Sequence, residues 1–173
     1  MPEQLIRIRN REAADIDLCV QALATVHPTS GYPTNWPADP ARWLTPSGIL
    51  HAWIATTNGL PIAGHVILRQ LPVSTTVERT AEVSRLFVVP AARRQGIALA
   101  LLQKTIHWAT TNELDLVLEV TDHLRAAQGL YERTGFRRIN TKRADWTTPD
   151  GQPVTLHQYA WSRETVPSDV GQS

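Results

Sequence analysis

The sequence predicts a single α/β or α+β domain, and three observations carry that prediction. Short runs with period-two alternation are separated by stretches of helical periodicity. The dipeptide Asn58-Gly59 sits between two apolar runs, where a tight hairpin turn belongs. The run Glu82 to Val89 passes through Pro90 and a basic, glycine-containing turn into a long amphipathic segment, the pattern of a strand feeding a helix. A chain of 173 residues is large enough to bury a core of its own. Residues 1–162 are expected to form the domain, and the polar stretch 163–173 a frayed tail.

Taken in order, Leu5-Ile6-Arg7-Ile8-Arg9 alternates like a first strand. Residues 12–26 put Ile16, Cys19, Val20, Leu23 and Ala24 on one helical face, which makes Cys19 a small core residue rather than a nucleophile. His27 to Pro37 is rich in proline and aromatic residues and is expected to be an ordered loop. Asp39-Pro40 reads as an N-cap followed by proline in the first helical position, opening a short helix through Trp43 and Leu44. Strands follow at 50–57 and 61–71, then a polar connector from Val73 to Thr80.

After the strand at Glu82, the residues Ala98, Leu101, Leu102, Thr105, Ile106 and Ala109 recur at helical spacing. Leu114, Leu116, Leu118 and Val120 alternate with Asp115, Val117 and Glu119 as a strand. A helix around Tyr131 ends at Gly135, and a hairpin turning at Thr147-Thr148-Pro149-Asp150-Gly151 closes the domain.

The turn Arg93-Arg94-Gln95-Gly96-Ile97-Ala98-Leu99 carries the most chemistry. A strand that enters a helix this way exposes backbone N–H groups with no intrahelical partner. Together with the helix dipole they form a site for a phosphate or pyrophosphate. Gly96 and Ala98 let a ligand approach the backbone, and Arg93 and Arg94 add positive charge. No Lys-Ser/Thr pair follows Gly96, so this is no P-loop, and no Gly-x-Gly-x-x-Gly marks a dinucleotide fold.

Three ordered segments resemble the GNAT N-acetyltransferase superfamily. Arg93-x-x-Gly96-x-Ala98 is similar to its acetyl-CoA signature, Gln/Arg-x-x-Gly-x-Gly/Ala. Upstream, Glu82-Val83-Ser84-Arg85-Leu86-Phe87-Val88 is similar to the Glu-x-x-Arg-Leu-Tyr/Phe-Val strand. Downstream, Ala127 through Tyr131 to Gly135-Phe136 is similar to Ala-x-x-x-Tyr-x-x-x-Gly-Phe. The resemblance is specific over about residues 80–137 and rests elsewhere on element order. It implies a mixed, mostly antiparallel sheet of about seven strands flanked by about four helices. It also implies an acetyl-CoA-dependent acetyltransferase that releases coenzyme A by direct transfer in a ternary complex.

Residue roles follow from that resemblance. The pyrophosphate would rest on the N–H groups of Arg94 through Leu99, and the pantetheine would run beside the Leu86-Phe87-Val88 backbone like an added strand. A backbone N–H of the same strand would face the thioester oxygen. Tyr131 is the candidate acid for the departing thiolate, the alternative being a ring packed on the sheet with one hydrogen bond. Glu119 and Glu82 compete as the base for the amine, with water as a third option. Leu124 stands where relatives often carry an asparagine against the pantetheine, with Asp122 and His123 adjacent.

The acceptor pocket is expected from His27 to Pro37 with Trp43, Tyr32 and Trp36 forming an aromatic wall or else stapling the loop to the core. The hairpin tip near Asp150 is placed over the same cleft. A compact aromatic pocket without an acidic patch for basic tails favours a small-molecule amine: an amino-acid-like metabolite, antibiotic or toxin. Acetylation of a protein N-terminus or lysine is the first alternative, and a non-catalytic acyl-CoA-binding module the second.

Composition sets outer bounds. Seventeen Lys and Arg against sixteen Asp and Glu give a formal charge of +1, so no whole-chain field favours nucleic acid or a membrane surface. One cysteine excludes an intrachain disulfide and suits a reducing compartment. Six histidines show no His-Glu-x-x-His spacing, so no metal site is expected. No apolar run has the length of a membrane span and no signal-peptide pattern opens the chain, so the expectation is a cytoplasmic protein. Dimers are common in the family it resembles, which makes a homodimer compatible with the sequence.

Overall fold

A computed structural model describes residues 5–71 and 79–165. Seven strands form one sheet in the order β1-β2-β3-β4-β5-β7-β6. They are β1 (Arg7–Asn10), β2 (Ile49–Thr57), β3 (Leu60–Gln70), β4 (Thr80–Val88), β5 (Asp115–Thr121), β6 (Arg137–Thr147) and β7 (Pro153–Trp161). All neighbours are antiparallel except β4 and β5, which run parallel. The helices are α1 (Ile16–Ser30), α2 (Pro40–Leu44), α3 (Ile97–Thr111) and α4 (Arg125–Arg133). The mostly antiparallel sheet with four helices is the architecture that the motifs implied.

β3 shows why the sheet must be covered twice. Residues Ile62 to Leu68 are buried without interruption, so this strand has no solvent face and its sequence does not alternate. A Cβ on Gly64 would lie 2.9 Å from both Ile97 Cγ2 and Leu101 Cδ1, so α3 lies directly on that face. Its neighbour His65 points the other way, where Arg11 Nη1 bonds both its Nε2 (2.8 Å) and the Leu44 carbonyl (2.7 Å) at the end of α2. The hairpin β2–β3 turns at Asn58-Gly59 and pairs Thr57 with Leu60, as the dipeptide predicts. Asp39 caps α2 by accepting from Arg42 N at 3.0 Å.

Two elements differ from expectation. β1 begins at Arg7 rather than Leu5. α1 runs on to Ser30, through the stretch His27 to Ser30 read as loop, with Pro28 inside it. Pro28 removes one rung close to the end of the helix, where little remains to be disrupted. Thr25 Oγ1 donates to the Ala22 carbonyl (2.7 Å) and Thr29 Oγ1 to that of Val26 (3.0 Å), so both hydroxyls bond back onto the helix. Gly31 then closes the helix at φ +62°, its N–H on the His27 carbonyl at 3.0 Å.

Arg163–Thr165 form a 3-10 turn, with Arg163 N–H on Asp115 Oδ1 at 3.1 Å. Most of the expected connector from Val73 and residues 166–173 of the expected tail lie outside the described residues. No helix among the described residues is long and apolar enough to cross a membrane.

Candidate active site

The site begins where the sheet comes apart. β4 and β5 pair only at Thr80–Glu82 with Asp115–Val117, although β4 continues to Val88 and β5 to Thr121. Beyond Glu82 the strands diverge, and the opening is a cleft of about 480 Å³. Val83 to Leu86 line one wall, Glu119 to Thr121 and Tyr131 the other, with Tyr32, Trp43 and Trp146 around the mouth. Backbone groups of β4 on the β5 side therefore have no strand to bond after Glu82.

At the far end of β4 stands the cradle. Gly96 is the N-cap of α3 at φ +75°, and Arg94 before it also has positive φ, +64°. This double left-handed turn points successive N–H groups outward. Ala100 N–H makes the first helical bond, to the Gly96 carbonyl at 3.0 Å. The N–H groups of Arg94 through Leu99 have no acceptor among the described residues. A Cβ on Gly96 would meet nothing within 4 Å, so the space over the turn is open. Gln95 Oε1 is buried there without a hydrogen-bond partner. An open, donor-lined turn at a helix N-terminus fits a pyrophosphate.

The predicted residues separate into groups. Tyr32, Glu82, Leu86, Glu119 and Tyr131 face the one cleft. Arg93, Arg94, Gln95, Gly96, Ile97, Ala98 and Leu99 form the turn and first residues of α3. Ile97 turns its side chain into the core, while Arg93 directs its guanidinium to Ser30 Oγ (2.5 Å) at the end of α1. Val88 is partly buried against the core, and Phe87 is fully inside it, stacked on His65 at 5.0 Å between ring centroids, so only their backbone is available to a ligand. Trp36 does not line the cleft; its ring lies 5.4 Å from that of His27.

Tyr131 is buried against Phe136 and Tyr159, and its hydroxyl has no hydrogen-bond partner among the described residues. Burial raises its pKa above the ordinary tyrosine value, which keeps the phenol protonated. Burial likewise pushes Tyr32 up to about 12. Glu82 Oε1 accepts from Arg69 Nε at 3.0 Å, and Glu119 Oε1 pairs with Lys142 Nζ at 2.8 Å and accepts from Gln158 Nε2 at 2.8 Å. Near Leu124, Asp122 accepts from His157 Nε2 (2.7 Å) and His123 Nε2 approaches the Ser30 carbonyl (3.1 Å). Thr121 also lines the cleft, and its buried Oγ1 has no hydrogen-bond partner among the described residues.

Sequence reasoning missed two guanidiniums in the cleft, Arg69 and Arg85, and the indole of Trp146. Arg85 is there because β4 bulges: His65 pairs with Phe87 but Ile67 pairs with Ser84, so one extra residue is accommodated between them. Arg85 takes φ +53° at that point. A bulge redirects a side chain that simple alternation would place elsewhere. The β6–β7 hairpin supplies Trp146, and only the turn signal after Thr147 hinted at a nearby wall. Among the described residues no group of side chains is arranged to hold a metal ion.

Comparison with known proteins identifies the family. Residues 19–136 match the family model described as acetyltransferase (GNAT) family. A zebrafish (Danio rerio) protein, N-acetylaspartate synthetase, is 33% identical over 110 residues, which make up 63% of this chain and 36% of that protein. The matched stretch is thus little more than a third of that relative. The ribosomal-protein-S18-alanine N-acetyltransferase of Escherichia coli superimposes with a TM-score of 0.73 at 24% identity, covering 91% of this chain and 93% of the other. Arabidopsis thaliana NAA60 in complex with acetyl-CoA superimposes with a TM-score of 0.71 at 19% identity, covering 91% and 98%. At such identities the structural likeness concerns the fold. The signature strand, the cradle and Tyr131 all fall within residues 19–136, and the chain belongs to the acetyltransferase (GNAT) family.

Proposed function

We propose that this chain transfers an acetyl group from acetyl-CoA to the primary amine of a small, amino-acid-like molecule. The observation that carries the reading is the divergence of β4 from β5, which opens a cleft holding a buried tyrosine and two carboxylates on the strand that leads into an open N–H cradle. When bound, acetyl-CoA supplies an activated acyl carbon and a thiolate leaving group. The N–H groups of Arg94 to Leu99 hold its pyrophosphate, with Arg93 and Arg94 adding charge. The unpaired edge of β4, through Leu86 to Val88, receives the pantetheine as a strand would. Thr121 Oγ1 offers that chain a hydroxyl that no described protein group uses.

Glu82 receives the proton the amine must lose, directly or through one water, using the carboxylate oxygen that Arg69 leaves free. Glu119 is more exposed and bonded by both Lys142 and Gln158, so it serves the rim of the cleft and not the proton. A seam-facing N–H of β4 stabilises the charge that gathers on the thioester oxygen. As the new C–N bond forms and the C–S bond breaks, Tyr131 gives its proton to the sulfur. Burial raises its pKa further above neutrality, so the phenol carries its proton at neutral pH. The zebrafish relative's name denotes formation of an N-acetylated amino acid, in keeping with an amino-acid-like acceptor.

Two titrations and one assay test the reading. Calorimetry should show saturable binding of acetyl-CoA and of free coenzyme A, and a thiol-release assay over a panel of amines should find acceptors. Absence of binding to both nucleotides would refute it; binding without turnover of any amine would leave an acyl-CoA-binding module.

A further inference from the structure

Arg85 is a cation placed in the cleft wall with no carboxylate paired to it among the described residues. Its guanidinium stacks over the Trp43 ring at 4.2 Å from the centroid. Nε donates to the Trp43 carbonyl at 3.2 Å and Nη1 to Ser84 Oγ at 2.8 Å. A guanidinium carries five N–H donors, and the rest of these, both on Nη2 included, have no acceptor among the described residues. Arg85 forms no ion pair among the described residues. The carboxylate that lines the same cleft from the same strand, Glu82, gives its Oε1 to Arg69 instead.

This arrangement is costly. Burial of the side chain pulls the guanidinium below its ordinary pKa, which is the signature of a charge short of compensation. The backbone adds to the cost, because a bulge with φ +53° at a long side chain is strained where glycine would not be. Structural support of Trp43 does not require a guanidinium fork open on its cleft side. A half-buried arginine with a vacant donor edge, fixed by an aromatic face beneath it, is a receptor for a planar anion.

We propose that Arg85 binds the carboxylate of the acetyl acceptor, so that the site takes amino carboxylates in preference to amines that lack an acid group. The inference rests on the acetyl-transfer reading above. Along β4 the ammonium-seeking Glu82 and the carboxylate-seeking Arg85 line one cleft, which matches the two charges of an amino acid. Arg69 is paired with Glu82, so among the described residues Arg85 is the cleft guanidinium without a carboxylate partner, suited to one carboxylate.

The test compares the twenty common amino acids with their C-terminal carboxamides, in two measurements. Each is titrated calorimetrically into protein saturated with coenzyme A, and each is assayed for thiol release from acetyl-CoA. Free acids should bind and turn over at least about 10- to 100-fold better than their amides, the range expected for losing hydrogen bonds to a charged group. Arg85→Ala should bring acid and amide to parity. Arg85→Lys, which keeps the charge but not the fork, should retain part of the preference and guards against misfolding of the alanine variant. Amides turned over as well as acids would overturn the inference and leave acetyl transfer intact. Acid-selective binding without turnover of any amine would sink the acetyl-transfer reading and, with it, the assignment of the bound carboxylate to an acetyl acceptor. No binding of any free acid would also overturn it.

Discussion

His65 Nδ1 donates to the main-chain oxygen of Arg85 across 2.8 Å, tying the centre of β3 to the bulge of β4. Nε2 of the same ring accepts from Arg11 Nη1 at 2.8 Å, so the imidazole is neutral and each nitrogen has one role. Burial is the main cause that lowers the His65 pKa to about 3, and the neighbouring guanidiniums lower it further. A bulge that aims a cleft side chain is thereby held from behind by a fully buried residue.

Burial of the His65 ring makes stability depend on pH, while its bond to the Arg85 carbonyl opposes that shift. The unfolded chain takes a proton on His65 near its ordinary value of 6.5, whereas the folded one refuses it down to about 3. Between those limits the unfolded state binds more protons, so stability is full above pH 6.5 and falls as the pH drops, by up to about 1.4 kcal/mol per pH unit. His51, also lowered by burial, adds in the same direction. His65→Asn keeps a donor for the Arg85 carbonyl and removes the titration. Urea unfolding at several pH values should give a flatter profile for the variant; parallel profiles would refute the assignment.

Gly96→Glu should leave the fold in place and remove the cradle. Nothing stands within 4 Å of a Cβ there, so the cost to folding is the left-handed φ, about 1–2 kcal/mol. The carboxylate would sit among the very N–H groups meant for phosphate. Calorimetry should show acetyl-CoA binding weakened at least about 100-fold, with a cooperative thermal transition retained.

Tyr131→Phe should separate chemistry from binding. The ring packs on Phe136 and Tyr159 while the hydroxyl bonds no described residue, so loss of the oxygen costs little stability. Turnover should fall about 100-fold, at the low end for a general acid, with the affinity for acetyl-CoA unchanged. Glu82→Gln should lower kcat by a similar factor and Glu119→Gln by much less. Equal losses in the two carboxylate variants would show that the base is assigned to the wrong strand.

Gly64→Ala probes the seat of α3. The added methyl would press on Ile97 Cγ2 and Leu101 Cδ1 at 2.9 Å and on the Phe87 carbonyl at 3.2 Å. The side-chain tips can shift but the carbonyl cannot, so a loss of about 1–3 kcal/mol is expected in thermal or urea unfolding. Because Ile97 opens α3, acetyl-CoA affinity should drop as well.

The order of elements was legible because each carries its own local signal: Asn58-Gly59 for the hairpin, Asp39-Pro40 for α2, and the strand-turn-helix motif around Gly96. Arg85 was invisible as a cleft residue because strand alternation assumes an unbroken register, and the bulge is set by what β3 offers across the ladder. Pro28 misled for the opposite reason. A local breaker that costs only one rung near the helix end was overruled, and the Gly31 cap sets the terminus instead. Trp36 and Trp43 look alike in sequence, yet only Trp43 faces the cleft, since Trp36 lies against His27. Such choices depend on distant partners that no short window contains.

The seam between β4 and β5, knitted only at Thr80–Glu82, also has a mechanical meaning. The strands β1–β4 form one plate and β5–β7 another, joined along one short edge like the boards of a book held by part of its spine. An extended ligand lying in the open part of the spine would supply the missing stitches. Under the function proposed above, the arrival of substrate would therefore be a bracing event: the seam-facing amides of β4 beyond Glu82 would gain acceptors, and part of the rigidity that positions the chemistry would come from the molecule to be transformed.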